Sequence, residues 1–131
     1  MRSLPRLSVV ATLVGAAVVL PMTAASAADS VTRSGTCTAA STWTMRAAEA
    51  DGDVAALRLT VDSSRAGQTW SVALSRQGTR FFSTQRTTDT AGDFTVSRNA
   101  REANGVDDVY TARAENLRTG EVCSARVVLP D

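Results

Sequence analysis

The chain predicts an all-β fold: seven antiparallel strands stacked as a sandwich and held by one disulfide. Three observations point there. Apolar and polar residues alternate at period two in segment after segment, which sends successive side chains to opposite faces of a sheet. Turn signals built on Gly, Asp and Asn recur about every eight to twelve residues, the spacing of a sandwich. Finally, the only two cysteines, Cys37 and Cys123, lie near the two ends of the domain. The one helix-like piece, Asn99-Ala-Arg-Glu-Ala103, is too short to matter.

Residues 1–27 read as a secretory signal peptide. Arg2 and Arg6 form a positive start, residues 7–20 are apolar or small, Pro21 breaks the run, and Ala25-Ser26-Ala27 fits a cleavage site. The apolar run is short of the ~20 residues that span a bilayer, so no membrane span is expected after cleavage. The protein is therefore expected to be secreted, and an oxidising compartment makes Cys37–Cys123 a disulfide between the first strand and the last. Residues 28–36, small and polar, read as a flexible N-terminal segment before a domain covering 37–131.

In chain order, residues 37–48 are the first strand, with Cys37, Trp43, Met45 and Ala47 on its inward phase. Asp51-Gly-Asp53 is a strong turn, and residues 54–62 follow with Leu57, Leu59 and Val61 inward. After a loop at 63–68, the strand at 69–76 buries Trp70, Val72 and Leu74. Gln77-Gly-Thr79 turns it into 80–88, where alternation makes Phe81 and Phe82 face opposite ways. Residues 89–93 turn the chain into a short strand at 94–98 with Phe94 and Val96 inward, and 99–107 is the longest connection. The last hairpin pairs 109–117 with 121–129 across Asn116-Leu-Arg-Thr-Gly120. Its inward residues are Tyr110, Ala112 and Ala114, then Cys123, Ala125, Val127 and Leu129.

That hairpin carries a resemblance. Asp108-Val-Tyr110-Thr-Ala112-Arg-Ala114-Glu-Asn116, followed by Thr119-Gly120, resembles the F strand, turn and G strand of immunoglobulin-like domains. The resemblance implies that Tyr110 makes a tyrosine corner, with Asp107 or Asp108 as its acidic partner. It also implies that Trp70 is the buried Trp of the C strand. Leu59 and Ala112 then stand where that family carries its inter-sheet cysteines. The Cys37–Cys123 pair departs from the family pattern and leaves a fibronectin-III-like topology open. The overall layout is similar to small secreted actinobacterial proteins.

Residue usage narrows the chemistry. His and Lys are both absent, so no imidazole base, Schiff base or Ser–Lys dyad exists, and zinc loses its commonest nitrogen ligand. No phosphate-binding loop of the GxxxxGK type occurs, and the cysteines are committed to each other. The acids are scattered without a recognisable catalytic pair. Asp51-Gly-Asp53 and Asn104–Asp108 offer oxygen donors but not the spacing of a calcium loop, and both read as turn or corner chemistry. No enzyme activity, cofactor or metal is expected.

Charge suggests a surface instead. Arg2 and Arg6 leave with the leader, so the remaining arginines nearly balance the 13 acids, which argues against a nucleic-acid binder. The balance is uneven, because Arg65, Arg76, Arg80, Arg86, Arg98 and Arg101 face only Asp89 and Asp93 within 65–101. The expected function is a non-enzymatic binding module, with Arg76, Arg80, Phe81, Phe82 and Arg86 as contact residues. The partner is an unknown protein or an anionic surface polymer. The alternatives are a small-molecule carrier, using space beside Ala112, Ala114 and Ala125, and a secreted enzyme inhibitor presenting 99–107 as a stiff loop.

Overall fold

The computed structural model describes residues 29–103 and 105–131, together with Gly15; the expected signal peptide and Asn104 lie outside the described residues. The described chain is all-β, with no helix. Its eight strands are β1 (Ser30–Thr36), β2 (Thr42–Ala50), β3 (Val54–Asp62), β4 (Thr69–Arg76), β5 (Thr79–Thr87), β6 (Asp93–Arg101), β7 (Asp108–Asn116) and β8 (Val122–Leu129). They form two four-stranded antiparallel sheets, ordered β1-β2-β3-β6 and β5-β4-β7-β8.

The inward residues read from alternation are buried, except Cys37 and Trp43, which are half-buried against the core. Leu57, Leu59 and Val61 from β3, Trp70, Val72 and Leu74 from β4, and Phe94 and Val96 from β6 join Tyr110, Ala112, Cys123 and Leu129 in one cluster. Trp70 lies against Phe94, with ring centroids 5.9 Å apart and planes tilted by 47°. Burying such side chains contributes roughly 1.5–3 kcal/mol each before chain entropy is counted. Among the described residues, the Trp70 Nε1 proton has no hydrogen-bond partner.

The strand count corrects the expected seven to eight. Residues 30–36, expected as a flexible segment, form β1 and pair with β2 from Ser30↔Ala48 to Thr36↔Thr42. Alternation does not reveal this strand because its inward positions are Val31, Arg33 and Gly35. The last of these is filled by a neighbour rather than by its own side chain. A Cβ on Gly35 would sit 2.7–2.8 Å from the Trp43 indole, so the missing side chain is the space that Trp43 occupies. Two boundaries also move. Cys37 lies in the β1–β2 connection rather than on β2, and β6 runs on to Arg101 because Ala55↔Ala100 and Val54↔Arg101 extend its ladder.

The disulfide joins Cys37 to Cys123, so it ties the β1–β2 connection to β8. Glu121 clamps the same connection. Its Oε2 accepts from Ala39 N at 2.9 Å and Ser41 N at 3.0 Å, and its Oε1 accepts from Ser41 Oγ at 2.6 Å. Loss of hydration pushes the Glu121 carboxyl up, but these bonds and the Arg65 charge outweigh it and hold the group below its ordinary value. A carboxyl whose pKa is lower folded than unfolded stabilises above the ordinary Glu range, and that stabilisation is lost as pH falls through the folded value. Glu121→Gln is therefore expected to cost about 1–2 kcal/mol at pH 7 in urea unfolding. The gap between variant and parent should close as the pH is lowered below 4. A gap independent of pH would show that the charge is not what Ser41 and Ala39 bind.

Candidate functional site

The site begins at a tight turn. Gln77 and Gly78 join β4 to β5, and both have positive φ, 48° and 79°, the twist a two-residue hairpin turn requires. Gln77 is held in that conformation from outside. Its N donates to Val109 O at 2.9 Å, its Nε2 to Asp107 O at 2.9 Å, and its Oε1 accepts from Val109 N at 3.0 Å. The hairpin tip is thereby fixed to the start of β7.

Just past the turn, the β4–β5 register slips. Leu74 pairs with Phe82 but Ser75 pairs with Arg80, leaving Phe81 as the extra residue of a β-bulge. Phe82 keeps the inward phase of Leu74 and packs against the core, with the Arg98 guanidinium 4.4 Å above its ring. Phe81 is pushed outward and is 38% exposed, one of the few large apolar side chains left to solvent. Alternation had left open which of the two phenylalanines faces solvent. The bulge decides it.

Beside Phe81, the β4–β5 hairpin and the end of β6 border a groove of about 490 Å³. Arg76, Arg98 and Arg101 line it together with Phe81, Ala100 and Ala103, and no carboxylate is among its lining residues. Arg76 is neutralised, since its Nε donates to Asp108 Oδ1 at 2.8 Å. Arg98 and Arg101 have no ion-pair partner among the described residues. The groove thus presents an aromatic face and two uncompensated cations. Its β6 wall is anchored by Tyr110, whose hydroxyl donates to Arg101 O at 3.3 Å. Burial first, and then the Asp108 charge, push the Tyr110 phenol up to about 12, so it remains a donor across the physiological range.

Of the five expected contact residues, Arg76 and Phe81 come together in this groove. The other three go elsewhere. The bulge turns Arg80 to the outer face of the second sheet, where it lines a separate depression with Ser75, Thr111 and Arg126. Phe82 lies under Arg98. Arg86 sits opposite Trp70, six residues past Arg80 along β5, and donates to Thr84 Oγ1 at 2.7 Å and Gln85 O at 3.0 Å. Arg98 and Arg101 complete the groove and were legible only as members of an Arg-rich stretch. The signal that could have found Arg98 is its phase. It follows Phe94 and Val96 on the inward face, and a cation there belongs to an edge strand where the core opens.

The corner residues separate as well. Asp108 is taken by Arg76 and by Ala103 N, at 3.3 Å from each carboxylate oxygen. Asp107 Oδ1 accepts from Asp131 N at 3.2 Å, so neither acid pairs with the Tyr110 hydroxyl, which finds a backbone carbonyl instead. The long 99–107 connection shrinks because residues 99–101 belong to β6. Compared with known protein families, curated proteins and solved structures, the chain matches none of them.

Proposed function

We propose that the protein is a secreted, non-enzymatic binding module of immunoglobulin-like build that holds an acidic extended segment of a partner protein in the groove beside Phe81. The observation that carries this reading is the groove's lining: an exposed aromatic ring with Arg98 and Arg101 uncompensated and no carboxylate. Extended peptides suit such a place because β6 is an edge strand with unpaired backbone groups on the groove side. Arginine forks bind carboxylates in a bidentate way, and the ring supplies apolar area at low entropic cost.

One feature supports the immunoglobulin-like reading, and a second bears on which variant of it applies. Tyr110, at the start of β7 and two residues before Ala112, hydrogen-bonds back to the chain at Arg101, as a tyrosine corner does. If β2 to β8 are taken as the seven successive strands of such a domain, the fourth pairs with the third rather than with the fifth. That departs from the constant-type arrangement and favours the fibronectin-III-like alternative.

Selection of a random peptide library on the protein should enrich sequences rich in Asp and Glu. The enrichment should vanish for the double variant Phe81→Ala, Arg101→Glu. Enrichment without charge bias, or the same enrichment on the variant, would overturn the reading.

A further inference from the structure

A second site lies at the other end of the sandwich. Arg76 and the groove stand where β4 ends, whereas Gln68 stands just before β4 begins, roughly 25 Å away along the strand. Three connections meet there: residues 37–41 between β1 and β2, 63–68 between β3 and β4, and 117–121 between β7 and β8. They border a cavity of about 180 Å³, more enclosed than the groove. Ser41, Arg65, Gln68, Asn116, Thr119 and Glu121 supply most of its polar lining. The only wholly apolar side chains in it are the methyls of Ala39 and Ala40.

The lining is fixed from behind by buried polar groups. Ser41 and Asn116 are 2% and 1% exposed. Asn116 Oδ1 accepts from Arg118 N at 2.9 Å and Thr119 N at 3.1 Å, and its Nδ2 donates to Gln68 Oε1 at 2.8 Å. Thr88, also buried, pins the 63–68 loop: its Oγ1 donates to Arg65 O at 2.6 Å and accepts from Gln68 N at 2.9 Å. A Cβ on Gly92 would collide with the backbone of Ser64 and Arg65, so the β5–β6 turn packs directly against that loop. Side chains set in place before a ligand arrives lose little freedom on binding it.

Within this frame three groups keep unused capacity. The Arg65 guanidinium makes no ion pair or hydrogen bond among the described residues. Gln68 Nε2 likewise has no acceptor there, since its amide bonds to Asn116 through Oε1. Glu121 Oε1 accepts one bond, from Ser41 Oγ, and has room for another. The Arg65 charge is felt at Glu121 although the two groups do not pair. The lining therefore holds one cation and one anion and is neutral as a whole.

We infer that this cavity binds a single neutral hexose residue. A sugar hydroxyl donates and accepts at one atom, so neighbouring hydroxyls take bonds from Arg65 and Gln68 while giving one to Glu121. A carboxylate ligand would face Glu121 and an ammonium would face Arg65, a like charge at close range in either case. An apolar ligand would find no wall to bury against. The volume is about six waters' share of liquid, room for one ring and not for a chain. The site shares no residue with the groove beside Phe81.

Glucose, galactose and mannose, each titrated against the amide NMR spectrum, test this, with glucuronate and glucosamine as charged controls. At least one neutral hexose should bind saturably and shift the amides of Ala39, Ser41, Arg65 and Thr119. Both controls should bind at least about tenfold more weakly. Gln68→Glu keeps the acceptor that Asn116 needs and replaces the free donor with an acceptor, so hexose affinity should fall about tenfold. Arg65→Ala breaks no side-chain contact of the described residues, yet it should reverse the selectivity, with glucosamine now bound more tightly than the hexose. A merely structural role for Arg65 would not move that preference. The groove variant Phe81→Ala, Arg101→Glu should leave hexose binding unchanged, so this inference and the peptide reading fail independently. The inference is overturned if no neutral hexose shifts these amides, which would mean a cavity holding water only. It is equally overturned if either control binds the parent as tightly, if affinity survives Gln68→Glu, or if Arg65→Ala leaves the selectivity as it was.

Discussion

Removing the disulfide, as Cys37→Ala with Cys123→Ala, is expected to lower the unfolding free energy by about 4–5 kcal/mol. The bridge spans a sequence separation of 86 residues, so it removes a large share of the unfolded chain's freedom. Against a total stability of about 5–15 kcal/mol for a domain of this size, the loss is about a quarter or more. It corresponds to a fall in Tm of roughly 15–30 °C. The native contacts around the bridge temper the effect. Thr38 N donates to Val122 O at 2.9 Å, Val122 N donates to Thr38 Oγ1 at 2.9 Å, and Glu121 holds Ala39 and Ser41. The folded variant should thus keep the connection in place while its unfolded state gains entropy. Urea unfolding of the variant and of the oxidised parent measures this, with the parent's m-value rising on reduction. A loss under 1 kcal/mol would mean that the unfolded chain is already compact across this span.

Arg76→Ala is expected to cost about 3–5 kcal/mol, the penalty of leaving a buried charge alone. Asp108 has a side-chain exposure of 5%, against 27% for Arg76, so the two partners are not equivalent. Without Arg76, the Asp108 carboxylate keeps only the long bonds from Ala103 N. Without Asp108, Arg76 can turn toward the groove and into water, so Asp108→Ala should cost less, about 1–2 kcal/mol. Replacing both by apolar residues of similar volume should recover most of the loss. Thermal or denaturant unfolding of the two single variants and the double variant completes the cycle. Equal costs for the two single changes would contradict the asymmetry in burial. Arg76 was expected as a contact residue; in the groove its first role is to neutralise Asp108, and weaker binding by Arg76→Ala must be read per folded molecule.

Legibility in the sequence followed the physics of each element. Strands β3 and β4 occupy the residues that alternation assigned to them, because each has one face fully committed to the core. Strand β1 was unreadable because Trp43 fills the space over Gly35, and a strand whose inward face is lent to a neighbour leaves no apolar pattern. The bulge at Phe81 was equally silent. An extra residue changes which face every preceding side chain takes, and no local signal marks where it falls. That one slip sent Arg80 to the outer face, away from Arg76 and Phe81.

By itself, the sequence determined the fold class, the inward residues of six strands, the pairing of Cys37 with Cys123, and the chemistries that need His or Lys and so are missing here. Only the tertiary structure decided which arginines are neutralised, which lie at an edge, and which line a cavity. The reason is physical. Period two specifies the face a side chain takes, which is a local property of the backbone. Whether Arg76 finds Asp108, Arg98 finds Phe82 or Arg65 comes near Glu121 depends on strand order and register, which are set by contacts far apart in the chain.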